Sequence, residues 1–177
     1  MHLLRQDLLP QSWKVCEMRR RPKEGEAEVV VLAAFGPGGI IASSFSTSSY
    51  ATALSWLEGI LERRGLRALR IEEVTNQYWR DPRRLVEDLD LSGLTGFQRR
   101  LYLWLVEHVH PGFVVTYGEV ASALGTSPRA VGKALATNPF PPIVPCHRVL
   151  AKGGLGGFSG PIREKEALLR IERVLTS

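Results

Sequence analysis

Four of the seven residues from 139 to 145 are prolines (139, 141, 142 and 145). Each proline fixes φ and removes a backbone donor, so neither a helix interior nor a central strand can run through this stretch. The segment Asn138-Pro139-Phe140-Pro141-Pro142-Ile143-Val144-Pro145-Cys146-His147-Arg148-Val149 is expected to be rigid and extended. Such a scaffold can hold one side chain at fixed geometry on a pocket floor. The side chain it holds is a thiol, Cys146, followed at once by a histidine and an arginine. Neighbouring cations favour a thiolate, so Cys146 is expected to have a lowered pKa. The plainer reading of a lone cysteine is an inert buried residue.

The remaining composition narrows the class. A chain of 177 residues, 44% hydrophobic and 23% charged, has room for one domain or two small ones with a real core. Wholesale disorder, collagen and coiled coil are excluded. The longest apolar run, Val29 to Phe35, falls far short of the ~20 residues a membrane span needs. The first residues carry scattered charges and no apolar h-region, so no signal peptide is expected. Two cysteines, Cys16 and Cys146, make no disulfide framework, and a reducing compartment is the default. His2, His108, His110 and His147 show no metal-ligand spacing, so no metal is expected.

Charge is distributed unevenly. Residues 1–91 hold 13 basic and 13 acidic side chains, whereas residues 92–177 hold 10 basic and 5 acidic. The whole net charge of +5 therefore lies in the second half. That asymmetry suggests a surface facing a polyanion, the alternative being an ordinary solvated face.

Ser12–Met18, Glu28–Phe35 and Ile40–Phe45 read as strands, the last two joined by Gly36-Pro37-Gly38-Gly39 as a hairpin. Cys16 falls in the first. Tyr50, Leu54, Leu57 and Leu61 recur at helical spacing within Ser49–Arg64, with Gly65 as a stop. Arg67–Asp90 is expected to hold one short strand or helical turn, interrupted at Asp81-Pro82, and reads as a linker. Thr95-Gly96-Phe97-Gln98 is a capping box before a helix bearing Phe97, Leu101, Trp104, Leu105 and His108 on one face, ended by Pro111-Gly112. Val114-Val115 is extended. Thr116-Tyr117-Gly118-Glu119 is a second capping box, opening a short helix that stops at Gly125. Ser127-Pro128 supplies an N-cap and a proline at the first helical position. The next helix runs to about Ala136, with Val131, Ala134 and Leu135 inward and Arg129, Gly132, Lys133 and Ala136 outward. The pair makes a helix-turn-helix candidate beside the commoner αα-hairpin.

Pro145-Cys146-His147-Arg148-Val149, preceded by Asn138-Pro139, resembles the active-site signature of the O6-alkylguanine-DNA alkyltransferases. The resemblance runs from about Phe97 to Glu172. It takes in Thr116-Tyr117-Gly118, the helix start Ser127-Pro128-Arg129-Ala130-Val131-Gly132, and the loop Gly156-Gly157-Phe158-Ser159-Gly160. The N-terminal half is similar in layout alone. The resemblance implies an α+β protein. Residues 1–91 would form a small α/β supporting domain, a ribonuclease H-like three-stranded sheet with a helix. Residues 92–177 would form a mainly helical, winged-helix-like DNA-binding and alkyl-acceptor domain.

It also implies roles. Cys146 would accept the alkyl group from O6-alkylguanine in duplex DNA, irreversibly and once per molecule. His147 would help deprotonate it through a water and Glu172 would orient His147, the logic of nucleophile, base and orienting acid. Tyr117 would donate to the guanine leaving group, and Asn138 would tie the recognition helix to the cysteine segment. The target base must leave the stack. Arg129 would fill its place, with Thr116, Ala130, Gly132 and Ala136 along the minor groove and Lys133 and Arg99 on phosphates. Pro141, Arg148, Val149, Gly156, Phe158, Ser159 and Gly160 would wall the pocket. No cofactor, metal or membrane is implied. The partner would be double-stranded DNA carrying O6-alkylguanine, with O4-alkylthymine a further candidate. The protein would act as a monomer in the cytoplasm at the nucleoid, or in the nucleus of a eukaryote. Phe158 departs from the tyrosine of many members. The zinc ligands of some animal members have no counterpart.

Two other readings stand beside this one. One is a lesion sensor or regulator without transfer. The other is a thiol hydrolase, which would need a base separated from the nucleophile and an oxyanion hole.

Overall fold

The computed structural model describes residues 29–172. The expected strand Ser12–Met18, with Cys16, lies outside the described residues. The sheet is built on β1 (Val30–Gly36), which pairs antiparallel with β2 (Gly39–Ser46) on one side and β3 (Arg70–Glu73) on the other. The order is β2-β1-β3. Gly36 pairs with Gly39 across a two-residue Pro37-Gly38 turn, and the register shifts at Ala34/Phe35. Gly39 has φ +126°, and a Cβ there would run into the Asp88 carbonyl. Only glycine suits that backbone at that distance.

The apolar run of β1 is explained by burial on both faces. Leu32, Ala34 and Ala42 meet the inner face of α1 (Tyr50–Arg63), which contributes Ala53, Leu57, Ile60 and Leu61. Tyr50 was expected on that face but is 46% exposed, and Ala53 and Ile60 take its share. Ser49 caps α1 by accepting from the Thr52 amide, and Gly65 follows with φ +61°. On the opposite face Val31, Ala33, Ile40 and Phe45 join a larger core with residues from beyond position 91.

The stretch 67–90 is not a linker. It holds β3, then α2 (Thr75–Arg80) and α3 (Pro82–Glu87), split where Asp81 precedes Pro82. Val74, Tyr78, Leu85 and Leu89 are buried against the sheet side of the large core. These six-residue helices each bury a single residue, Tyr78 or Leu85. No amphipathic period can show over so short a window.

Beyond it, α4 (Gly96–His108) starts in the expected Thr95–Gln98 capping box and buries Leu101, Tyr102 and Leu105. The two-residue strand β4 (Val115–Thr116) leads into α5 (Tyr117–Leu124) through the second capping box, Thr116–Glu119. Gly125, in the left-handed region at φ +65°, turns the chain into α6 (Pro128–Ala136), capped by Ser127. Val131, Ala134 and Leu135 are its buried residues. β5 (Val149–Leu150) pairs parallel with β4, and α7 (Ile162–Ile171) closes the described chain. The protein is thus α+β, a small antiparallel sheet with its helix set against a helical layer that contains a helix-turn-helix.

The turn at Gly39 yields the first prediction. Gly39→Ala should lower the unfolding free energy by about 2 kcal/mol or more, through a disallowed φ and the Asp88 carbonyl. Urea denaturation measures it, and an unchanged midpoint would contradict the assignment.

Candidate active site

The proline segment does not run extended. It folds into successive turns and ends in a 3₁₀ turn, Cys146–Arg148. Every residue from 138 to 149 is buried. Prolines forbid helix and ladder but suit turns equally well, and here the ladder partner is supplied from outside. Ser43 of the edge strand β2 donates its amide to the Pro139 carbonyl (2.8 Å) and its hydroxyl to the Pro141 carbonyl (2.9 Å). Asn138 braces the segment internally. Its amide nitrogen donates to the Val144 carbonyl (3.2 Å), and its oxygen accepts from the Phe140 amide (2.9 Å). The Asn138 backbone amide in turn donates to the Leu135 carbonyl of α6 (3.1 Å). One residue therefore joins the second helix of the helix-turn-helix to the cysteine turn. The β4–β5 pairing, Val115 with Val149, joins the other side of that turn to the start of α5.

Cys146 lies on the wall of a cavity of about 480 Å³. Gly132, Leu135 and Ala136 of α6 form one side, with Pro128 and Tyr117. Gly157, Phe158 and Ser159 form the other. Of the residues expected to wall the pocket, Phe158 and Ser159 do so. Val149 is core, Pro141 is engaged with Ser43, and Gly156 packs on Ala151 and the Tyr117 ring. Gly160 lies against Trp56.

Arg148 is also away from the cavity. It lies 5% exposed in a buried cluster around Glu172. Its Nε and Nη2 donate to the two carboxylate oxygens of Glu172 (2.9 and 2.7 Å), a bidentate pair, and Nη1 donates to the Val109 carbonyl (2.8 Å). The Tyr78 hydroxyl lies 3.3 Å from both Arg148 Nη2 and Glu172 Oε1. His147 Nε2 stands 3.0 Å from Glu172 Oε1, while Nδ1, equally buried, has no hydrogen-bond partner within the protein. Burial lowers the His147 pKa despite Glu172, so the ring is neutral at neutral pH. Its tautomer follows from the network: Nε2–H donates to the carboxylate, leaving the Nδ1 lone pair as a base. Burial opposes the Glu172 charge as well, but the Arg148 guanidinium, then His147, hold its pKa well below the ordinary carboxylate range.

The expected low-pKa thiolate is corrected by this arrangement. Burial raises the Cys146 pKa, with Asn138 and Lys165 pulling more weakly in the other direction. Neither adjacent cation acts as foreseen, because His147 is neutral and Arg148 is paired to Glu172. The resting group is a thiol beside a neutral imidazole.

Tyr117 opens α5 at the cavity and donates its hydroxyl to the Gly157 carbonyl (3.2 Å). Burial raises its pKa, so it remains a proton donor. Thr116 is engaged with Glu119 (2.8 Å) as the helix cap. Arg129 and Lys133 are exposed on α6, Ala130 is half-buried, and Arg99 on α4 donates to the Leu91 carbonyl (3.2 Å).

Two site groups were missed from sequence. Lys165 is fully buried, its Nζ donating to the carbonyls of Val149 (2.8 Å) and Gly157 (3.0 Å), with burial lowering its pKa to about 8. Tyr78 sits in the stretch read as a linker. Lys165 stands between two glutamates on a helix whose pattern reads as solvated, and nothing in its spacing marks it.

Known proteins resemble this chain over two different extents. Residues 96–174 match the family described as 6-O-methylguanine DNA methyltransferase, DNA binding domain. The methylated-DNA–protein-cysteine methyltransferase of Thermococcus kodakarensis is 51% identical over 89 residues, 50% of this chain and 51% of that one. That of Pyrococcus furiosus is 48% identical over 86 residues, covering 49% of each. The chain spans about half the length of the curated relatives it matches. Over a longer extent, it superposes on the crystal structure of O6-methylguanine-DNA methyltransferase from the hyperthermophilic archaeon Pyrococcus kodakaraensis. There the TM-score is 0.72 and the identity 34%, over 86% of this chain and 96% of the other. At that identity and coverage, and with its second half matching the family's DNA-binding domain, the chain belongs to the O6-methylguanine-DNA methyltransferase family.

Proposed function

We propose that the protein repairs DNA by moving the alkyl group of O6-alkylguanine onto its own Cys146, once per molecule. The observation that carries this reading is the position of the thiol. It is buried on a cavity beneath the outer face of α6, beside a histidine whose far nitrogen is tied to a carboxylate. No groove of intact duplex DNA brings a base into such a cavity, so the lesion enters by leaving the stack. Arg129, exposed at the start of α6, takes its place. Gly132 and Ala136 keep that helix surface low enough for close approach.

The step is a displacement at carbon. The S–C bond forms as the O6–C bond breaks, and the electron pair of the latter stays on guanine. His147 Nδ1, which has no partner within the protein, takes the thiol proton through a water, with Glu172 stabilising the resulting imidazolium. Tyr117 supplies a hydrogen bond or proton to the guanine leaving group. The overall change moves one proton from thiol to guanine and leaves a thioether. No hydrolytic step regenerates the thiol, which makes the reaction stoichiometric. O4-alkylthymine presents the same alkyl–oxygen bond and is a second candidate substrate.

Two variants test the reaction, and a third tests the buried cluster that holds its histidine. Cys146→Ala should abolish transfer from a labelled O6-methylguanine duplex while retaining affinity for that duplex in a gel-shift titration. Loss of binding by a folded variant would refute the division between binding and chemistry. Arg129→Ala should slow transfer from duplex DNA more than from free O6-benzylguanine, and equal losses would contradict the stacking role. Glu172→Gln, which leaves the Arg148 guanidinium buried with no partner charge, should destabilise by about 3 kcal/mol. The acid limb carries its own sign. Because the folded carboxyl pKa is depressed, the stability from Glu172 is present above its unfolded value and is lost as pH falls toward the folded one. Wild type should therefore lose more unfolding free energy than Glu172→Gln between about pH 5 and pH 2, and parallel curves would contradict the assignment.

A further inference from the structure

A chain of aromatic rings runs from the sheet layer to the cavity wall. Phe45 of β2 is fully buried, with its ring centroid 5.3 Å from Trp56, 6.1 Å from His147 and 6.2 Å from Phe158. Trp56 of α1 meets Phe158 edge-on at 5.7 Å and 73°. It borders both cores, the one under α1 and the larger one. Its indole also lies directly on the loop backbone. A Cβ built on Gly160 would stand 2.5 Å from Cζ2 and 2.7 Å from Cη2 of Trp56.

At its start the loop is held by a bridge between Ala151 and Gly154 and by Gly156 packed on Ala151 and the Tyr117 ring. Gly153, Gly154 and Gly157 have open space around them. The other fixed points lie further along. Lys165 and Tyr117 donate to the Gly157 carbonyl, the Lys165 ammonium lies 5.8 Å over the Phe158 ring, Phe45 also packs on that ring, and Trp56 packs on both Phe158 and Gly160. Phe158 is a wall of the cavity that holds Cys146. A ring that can swing changes the width of the slot in which the displacement must align.

We infer that Trp56 is a positioning residue for alkyl transfer: packed on Gly160 and on the edge of Phe158, it sets the width of the cavity over Cys146. The inference rests on the proposed transfer reaction. It assigns the sheet layer a part in the chemistry, since residues far from the helix-turn-helix hold one wall of the slot. Trp56 touches neither the thiol nor α6 in the contacts described, so its effect should fall on the rate within the bound complex and not on duplex affinity.

The test compares Trp56→Ala and Trp56→Phe with wild type in three measurements. These are the saturating single-turnover transfer rate from an O6-methylguanine duplex, the dissociation constant of the Cys146→Ala form for that duplex with and without the change, and amide exchange of the peptide spanning 153–160. Trp56→Ala is expected to lower the saturating rate roughly tenfold, as a displaced reacting geometry does. Duplex affinity should hold, exchange should quicken in the loop but not in α6, and Trp56→Phe should recover most of the rate. A wild-type rate in Trp56→Ala would overturn the inference. So would a rate loss matched by lost affinity and faster exchange throughout α5 and α6, which marks general loosening. If Trp56→Ala does not fold, Trp56→Leu takes its place in the same three measurements. A wild-type chain that transfers nothing would sink the proposed function instead, and the loop exchange would then decide alone whether Trp56 fixes the loop.

Discussion

The arrangement around Cys146 depends on one buried carboxylate. Glu172, at the C-cap of α7, receives His147, the bidentate Arg148 and the Tyr78 hydroxyl, and all four groups are at most 5% exposed. An ionised carboxylate in such surroundings is tolerable only when its oxygens are satisfied by charged or strong donors. The cluster meets that condition and in doing so fixes three elements at once. Arg148 and His147 locate the cysteine turn, Tyr78 locates α2, and Glu172 locates the end of α7. Arg148 also closes the last turn of α4 through the Val109 carbonyl. The same contacts that fix the structure assign the histidine its tautomer, so fold and chemistry share one set of hydrogen bonds.

A second polar anchor works in parallel at the other end of α7. The Glu164 carboxylate accepts from Ser46, from the Thr47 amide and hydroxyl, and from Ser48, tying the turn between β2 and α1 to α7. These bonds hold its pKa below the usual range although burial opposes them. Lys165, the next residue, donates its ammonium to the carbonyls of Val149, before the glycine loop, and Gly157, within it. Consecutive residues of one helix thus hold the sheet layer and the cavity loop. Residues 164, 165, 168 and 169 are all buried, which a helix accommodates when it is covered on more than one side.

What the sequence disclosed follows from the reach of each signal. Capping boxes and Ser-Pro are local chemistry, acting within four residues, and the starts of α4, α5 and α6 agree with them to the residue. The cysteine turn was visible because Pro145-Cys146-His147-Arg148-Val149 is a contiguous block. Its conformation was not, because four prolines exclude helix and ladder without choosing between extended chain and turns, and Ser43 of β2 supplies the pairing from 96 residues away in the case of Pro139. The state of the thiol was misjudged for the same reason. Adjacency to His147 and Arg148 suggested a cationic environment, whereas Glu172 and burial, both set by distant packing, decide it. Tyr78, Trp56 and Lys165 left no mark because each acts across elements, through contacts that no period encodes.

The central claim is that Cys146 is the stoichiometric acceptor of the alkyl group. The most direct measurement is intact-protein and peptide mass spectrometry after incubation with excess duplex DNA carrying O6-methylguanine. The account predicts one added methylene per protein, located on the peptide containing Cys146, with no further gain on longer incubation. A folded protein that binds the lesion-bearing duplex yet shows no added mass would contradict it and indicate a lesion sensor.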